Sequence, residues 1–132
     1  MLKIVACVAS QHDFGLVAVS AGICLLGCFS TVTLMAEAAR AERRSVSPWL
    51  IAAAFVFGCS VWSLHFVAML AFQPGAQAAY GLLPTAASIG IAVAGALIAF
   101  LIWCRADHDP LKVAAAGLVL ATAISGMHYA GV

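Results

Sequence analysis

The stretch LLPTAASIGIAVAGALIAFLIWC, from Leu82 to Cys104, decides the fold class of this chain. It contains no Asp, Glu, Lys or Arg, and it exceeds the roughly 20 apolar residues that one helical membrane crossing requires. Three other stretches share these properties. The four predicted spans run approximately over residues 14–36, 49–73, 82–104 and 113–132.

Composition places nearly the whole chain in lipid. Of its 132 residues, 65% are hydrophobic and 8% are charged, and the mean hydropathy is +1.11. A soluble domain is about a quarter charged, and a chain this short cannot bury so much apolar surface in its own core. We therefore predict an all-α, polytopic transmembrane helical bundle that forms one domain over residues 1–132. The net charge of +1 gives no surface for nucleic acid.

The basic residues predict how the spans are oriented. Lys3 lies near the N-terminus, and the other five belong to the first and third connections: Arg40, Arg43, Arg44, Arg105 and Lys112. Basic connections remain in the cytoplasm. Both termini and the uncharged second connection are therefore expected on the extracytoplasmic side.

Two histidines lie inside the predicted spans. His65 and His128 each follow the cytoplasmic start of their span, at Trp49 and Lys112, by 16 residues. At a rise of 1.5 Å per residue, both lie about 24 Å from the cytoplasmic side. The two rings are therefore expected to face each other at equal depth, with His12 at the outer mouth of the first span.

The surroundings of the two histidines repeat along the sequence. VWSLHFVAM at residues 61–69 aligns with ISGMHYAGV at residues 124–132, and the offset is 63 residues. This distance is about one helical hairpin. The alignment predicts a hairpin repeat that places corresponding residues at corresponding depths.

These motifs resemble the MHYT family of bacterial membrane sensor domains. The residues that carry the resemblance are Met127-His128-Tyr129-Ala130-Gly131, Trp62-Ser63-Leu64-His65-Phe66, Met69, Cys7 and His12-Asp13. The resemblance implies a multi-pass protein of the bacterial inner membrane with a sensory role, usually upstream of diguanylate cyclase, phosphodiesterase or histidine kinase modules. It also implies copper binding near the outer face and a response to oxygen, carbon monoxide or nitric oxide, or to redox state.

The chain departs from the family pattern in two ways. Leu64 stands where the motif usually has Met, Ala130 where it has Thr, and Val132 where it has a second Met. The family domain commonly has six or seven spans. Four spans therefore indicate a truncated domain, a natural short form or one half of an assembly.

Ligand chemistry defines the candidate metal site. Copper(I) favours thioether and thiolate ligands, and imidazole binds either copper state. His65 and Met69 share a helix face, whereas Met127 and His128 diverge by about 100°. The candidate metal ligands are Cys7, His12, His65, Met69, Met127 and His128. The competing interpretation is that the histidines only form hydrogen bonds between helices.

Haem b is the alternative cofactor. Two histidines at equal depth on two helices can ligate one haem iron from both sides, and here they would be His65 and His128. Small residues nearby would leave room for a flat macrocycle, and they are Ser63, Ala68, Gly126, Ala130 and Gly131. Such residues are also expected wherever transmembrane helices pack closely.

The remaining polar residues predict little chemistry. His108 is expected to be solvated in the third connection, and the intramembrane cysteines are interpreted as small apolar residues. There is no intramembrane acid, Walker loop or zinc-protease motif, so we expect no enzymatic activity. A copper transporter and a purely structural membrane subunit remain alternatives. Signal output is expected through a second copy or another membrane or signalling subunit.

Overall fold

The computed structural model describes residues 13–40, 47–71 and 81–131, and its regular structure there is entirely helical. Four helices follow one another in the chain: α1 (Phe14–Arg40), α2 (Pro48–Ala71), α3 (Leu82–Cys104) and α4 (Pro110–Gly131). Each is long and apolar enough to cross a membrane. The prediction of an all-α bundle with four spans is confirmed.

The helix ends differ from the predicted spans by a few residues. α1 continues past residue 36 to Arg40, whose guanidinium forms an ion pair with Glu37 one turn earlier. α2 and α4 begin at Pro48 and Pro110, because proline is well suited to the first position of a helix, where its missing N–H costs nothing. The predicted ends of the second and fourth spans, at residues 73 and 132, lie outside the described residues.

The helices form two antiparallel hairpins, α1–α2 and α3–α4, which pack together through α2 and α3. The N–H of Asp13 donates to the carbonyl of Ala71 at 3.0 Å, so α1 begins beside the end of α2. α3 turns into α4 over a few residues, and Asp107 and His108 both have positive φ there (43° and 65°). The end of α1 and the start of α2 therefore lie at the same end of the bundle as the α3–α4 connection.

The helices approach one another along small residues. Four glycines of the described helices sit so close to a neighbouring helix that a Cβ would collide with it: Gly27 against Ser60, Gly58 against Val93, Gly95 against Ala123 and Gly131 against Phe66. Buried positions hold mostly Ala, Gly and Ser, whereas large apolar side chains such as Leu25 and Phe29 are 72% exposed. Lipid is as apolar as leucine, so close backbone packing rather than burial of large side chains stabilises such a bundle.

Candidate functional site

The imidazoles of His65 and His128 meet between α2 and α4. Nε2 of His65 lies 3.2 Å from Nδ1 of His128, and the ring centroids are 4.7 Å apart with the planes at 83°. The two residues are 63 positions apart in sequence. The expectation that two imidazoles from different spans meet is therefore supported by the geometry.

A glycine at the end of α4 allows this approach. A Cβ on Gly131 would lie 2.9 Å from Cζ of Phe66 and 3.0 Å from Oγ of Ser88. Both distances are below ordinary van der Waals contact, so a larger residue would require the Phe66 ring and the Ser88 hydroxyl, or α4 itself, to shift. Gly131 thus allows α4 to pack closely against Phe66 and Ser88 about one turn beyond His128.

An aromatic and hydroxyl cluster supports the pair from the α2 side. The Phe66 ring lies with its centroid 5.2 Å from that of His65, and the Trp62 ring lies 4.7 Å from that of Phe66. Nε1 of Trp62 donates to the Ser88 hydroxyl at 3.0 Å, and this hydroxyl donates to the Thr85 carbonyl at 2.7 Å. The cluster therefore joins α3 to the histidine pair.

Sequence reasoning missed Ser88, which is fully buried in the bundle. The available signal was a hydroxyl within an otherwise apolar span, because such residues usually hydrogen-bond across helices. Nothing in the sequence identified its partner as Trp62. The pairing depends on the helix rotations, which only the packed bundle defines.

Of the other four predicted ligands, the structure describes only the two methionines. Met69 is half-buried one turn after His65, and Met127 is 1% exposed beside His128. Cys7 and His12 lie outside the described residues. Over residues 13–40, 47–71 and 81–131, no three His, Cys, Asp or Glu side chains gather as a metal cluster. The described part of the site is therefore a pair of imidazoles with methionines on the same two helices.

The distance between Nε2 of His65 and Nδ1 of His128 can be compared with the ligand spacing that a copper ion or a haem iron requires. Two nitrogens at about 2.0 Å from one ion are about 3.3 Å apart when the angle at the ion is tetrahedral. Axial ligands on opposite sides of an iron would be about 4 Å apart, with the macrocycle between them. The observed 3.2 Å is close to the first distance and about 0.8 Å shorter than the second. It also fits a direct hydrogen bond, in which one neutral imidazole donates and the other accepts.

Four cysteines lie on the described helices: Cys24, Cys28, Cys59 and Cys104. None of them joins the histidine pair in a cluster within the described ranges. Their interpretation as small apolar residues remains a prediction.

Comparison with protein families identifies this architecture. The family MHYT, described as a bacterial signalling protein N-terminal repeat, matches residues 58–117. The matched segment begins within α2 and ends within α4. It includes His65 and Met69 and ends before Met127 and His128.

Relatives match between 63% and 99% of the chain. An uncharacterized signaling protein of Caulobacter vibrioides is 33% identical over 133 residues, which cover 99% of this chain and 16% of the relative. The bifunctional diguanylate cyclase/cyclic di-GMP phosphodiesterase MucR of Pseudomonas aeruginosa is 32% identical over 122 residues, 92% of this chain and 18% of MucR. The signaling protein YkoW of Bacillus subtilis is 31% identical over 83 residues, 63% of this chain and 10% of YkoW.

No solved structure matches the chain. The four apolar helices define a multi-pass helical membrane protein, and two of them contribute the histidine pair. The chain is an MHYT-type sensory signalling domain. It spans less than a fifth of the length of the relatives named above.

Proposed function

We propose that this domain senses a diatomic gas or the redox state through one copper ion held by His65 and His128. The observation that carries the proposal is the 3.2 Å separation of Nε2 of His65 and Nδ1 of His128. A copper ion can bind both atoms only if neither carries a proton. The imidazole that donates the hydrogen bond must therefore move its proton to its other ring nitrogen. A bound copper ion would supply an open coordination position for oxygen, carbon monoxide or nitric oxide.

The donor set around the pair supports copper over harder ions. Met69 and Met127 offer thioethers on the same helices, and thioether with imidazole suits copper(I). Two imidazoles alone do not complete a site, so we propose Met69 as a third ligand. Met127, Cys7 and His12 are the further candidates for this position.

Haem b is less well supported by the pair. Its iron would require the two rings to separate by nearly 1 Å and to admit a macrocycle between α2 and α4. Gly131 already packs against Phe66 and Ser88 at that level, so the helices would have to part. Copper is therefore our first candidate cofactor.

The positions of the polar residues support metal binding rather than catalysis or transport. The histidine pair and its hydroxyl cluster lie toward one end of α2, α3 and α4. Farther along the described helices, the buried positions are mostly Ala and Gly, which offer no ligands for a passing ion. We therefore propose neither an enzyme nor a conduit.

The names of two relatives suggest an output. MucR is a cyclase and phosphodiesterase of cyclic di-GMP, and NbdA of Pseudomonas aeruginosa is a cyclic di-GMP phosphodiesterase, 31% identical to this chain over 109 residues. We propose that this domain regulates such an enzyme, carried on the same polypeptide or on a partner subunit. We place it in the bacterial inner membrane with the histidine pair toward the outer face and both ends of the chain outside, following the basic connections.

Metal titration of the purified chain tests the proposal. The full chain in mild detergent is titrated with copper(I) without oxygen, and bound copper is measured per chain. We expect one ion in the wild type and at least about a tenfold loss of affinity in His65→Ala and in His128→Ala. His108→Ala removes an imidazole from the α3–α4 connection and serves as the matched control.

Two outcomes would overturn the proposal. Equal copper binding in the wild type, His65→Ala and His128→Ala would exclude the pair as ligands. An intense Soret band in the protein as isolated, abolished by either substitution, would assign the pair to haem instead. Unchanged helical circular dichroism in the variants would establish that they remain folded.

A further inference from the structure

A crevice opens at the end of the bundle opposite the histidine pair. Two adjoining cavities, of about 420 and 560 Å³, share Val32, Met35, Trp103 and Val113 in their walls. Together they form one crevice bordered by α1 and α4. The Phe57 and Phe100 rings, in edge-to-face contact at 5.6 Å, line the larger cavity.

The deeper part of the crevice is apolar. Its walls include Cys28 and Thr31 of α1 and Ala116, Gly117 and Leu120 of α4. The Thr31 hydroxyl is satisfied within α1 by the Gly27 carbonyl at 2.7 Å. A Cβ on Gly117 would have no atom within 4 Å, so the space beside it is open. This part therefore suits a hydrocarbon.

The mouth of the crevice is polar. Arg105, Asp107 and His108 line it together with Ser47, whose hydroxyl accepts the N–H of Leu50 at 3.2 Å. Asp107 and His108 are the two residues with positive φ.

Two other cations of the described residues at this end have carboxylate partners: Arg40 pairs with Glu37, and Lys112 lies 3.9 Å from Asp109. Among the described residues that line the mouth, Arg105 is the cation, and His108 and Ser47 can add hydrogen bonds. Asp107 contributes an opposing charge.

The crevice has the depth of one leaflet. The crevice extends along α1 from Ala39 at the mouth to Cys28 at its deep end. These residues are 11 positions apart, which corresponds to about 16 Å at 1.5 Å per residue. Half of a hydrocarbon core of roughly 30 Å is about 15 Å. A lipid chain that enters at the mouth would therefore end near the membrane midplane, where the crevice ends.

We propose that this crevice binds one anionic glycerophospholipid from the bilayer. Its phosphate lies at Arg105 and His108, and one acyl chain lies along Met35, Trp103 and Gly117. Basic pockets between transmembrane helices are known to accept anionic lipid head groups. The apolar walls, the cationic mouth and the depth all match this class of ligand.

A transmembrane helix fits the crevice less well. A lipid engages both parts of the crevice, because its phosphate can pair with Arg105 at the mouth while its acyl chain follows the apolar walls. An apolar helix from a second copy would bring no anion to Arg105.

Native mass spectrometry of the full chain tests the proposal. The chain in mild detergent is supplied with phosphatidylglycerol or with diacylglycerol of the same acyl chains, and the lipid-bound and dimeric fractions are measured. We expect one phosphatidylglycerol per monomer. Gly117→Leu should fill the acyl channel and lower its affinity by about fivefold or more. Arg105→Gln should weaken the binding of phosphatidylglycerol more than the binding of diacylglycerol.

Matched variants separate the bound lipid from general lipid contact. A Cβ on Gly90 would also have no atom within 4 Å, and Gly90 does not line the crevice, so Gly90→Leu should leave binding unchanged. Lys112→Gln removes a cation outside the crevice lining and should likewise have no effect. Equal losses in Gly117→Leu and Gly90→Leu would overturn the proposal. A dimer that Gly117→Leu dissociates would assign the crevice to a second copy instead.

Discussion

Nε1 of Trp62 donates a hydrogen bond to Oγ of Ser88 across the α2–α3 interface at 3.0 Å. The Trp62 ring also packs against the ring of Phe66 at a tilt of 39°, and the Phe66 ring contacts that of His65. The hydroxyl of Ser88 is fully buried and donates in turn to the Thr85 carbonyl. This chain of contacts links α3 to the histidine pair.

Replacing Ser88 by Ala should destabilise the bundle by about 1–3 kcal/mol. The indole N–H of Trp62 would lose its acceptor within the membrane, and an unsatisfied buried donor costs about that much. Unfolding of the purified chain in a denaturing detergent measures the change. Ser125→Ala is the control, because this exposed hydroxyl bonds only to the Ala121 carbonyl of its own helix. Equal losses in both variants would contradict the cross-helix role.

The two histidines should be energetically coupled in the metal-free chain. Their contact at 3.2 Å predicts that His65→Leu and His128→Leu each cost about 1 kcal/mol and that the double variant costs less than their sum. The unfolding free energies of the four proteins form a double-mutant cycle. Strict additivity would mean that the rings do not interact.

Copper should stabilise the wild type and not the histidine variants. A ligand that binds only the folded chain at about 100 times its dissociation constant adds about 2.7 kcal/mol to the unfolding free energy. The same denaturation measured with and without copper(I) checks this prediction for the wild type and His65→Ala. A gain of the same size in both would locate the copper elsewhere.

Gly58→Ala should separate α2 from α3. The added methyl would lie 2.7 Å from Cγ2 of Val93 and 2.8 Å from its backbone, which cannot move aside. Overpacking of this kind costs about 1–3 kcal/mol. Gly90→Ala, in open space, should gain up to about 1 kcal/mol from helix propensity. Thermal denaturation in detergent compares the two, and a stable Gly58→Ala variant would contradict the close approach.

His108 occupies the left-handed region with φ 65°, which glycine adopts without strain and β-branched residues avoid. His108→Gly should therefore be more stable than His108→Val by at least about 1 kcal/mol. The comparison of two variants removes the contribution of the imidazole itself. Equal stability would mean that the α3–α4 connection adopts another conformation.

The fold could be predicted from the sequence almost completely. Hydropathy alone defines the four spans, because a run such as Leu82 to Cys104 has no stable place except a membrane. The equal positions of His65 and His128 along their spans predicted their meeting, since helices rise uniformly. The helix ends were less predictable, because Arg40 extends α1 through a local ion pair with Glu37.

The surroundings of the site could not be predicted in the same way. Depth follows from counting residues, whereas the rotation of each helix depends on where small residues permit close approach. Gly131 against Phe66 and Gly95 against Ala123 are two such close approaches. The partnership of Trp62 with Ser88 and the crevice beside Gly117 both result from them. Cys7 and His12 remain predicted ligands, because they lie outside the described residues.

The tight crossing of Gly58 and Val93 gives α2 a pivot. His65 lies about 10 Å from it on one side, and Pro48 lies about 15 Å from it on the other. If a ligand pushed the imidazoles apart by about 1 Å, a rigid α2 would swing its far end by about 1.5 Å in the opposite direction. The helix would then act as a lever between the two membrane surfaces, with its Pro48 end moving farther than its His65 end.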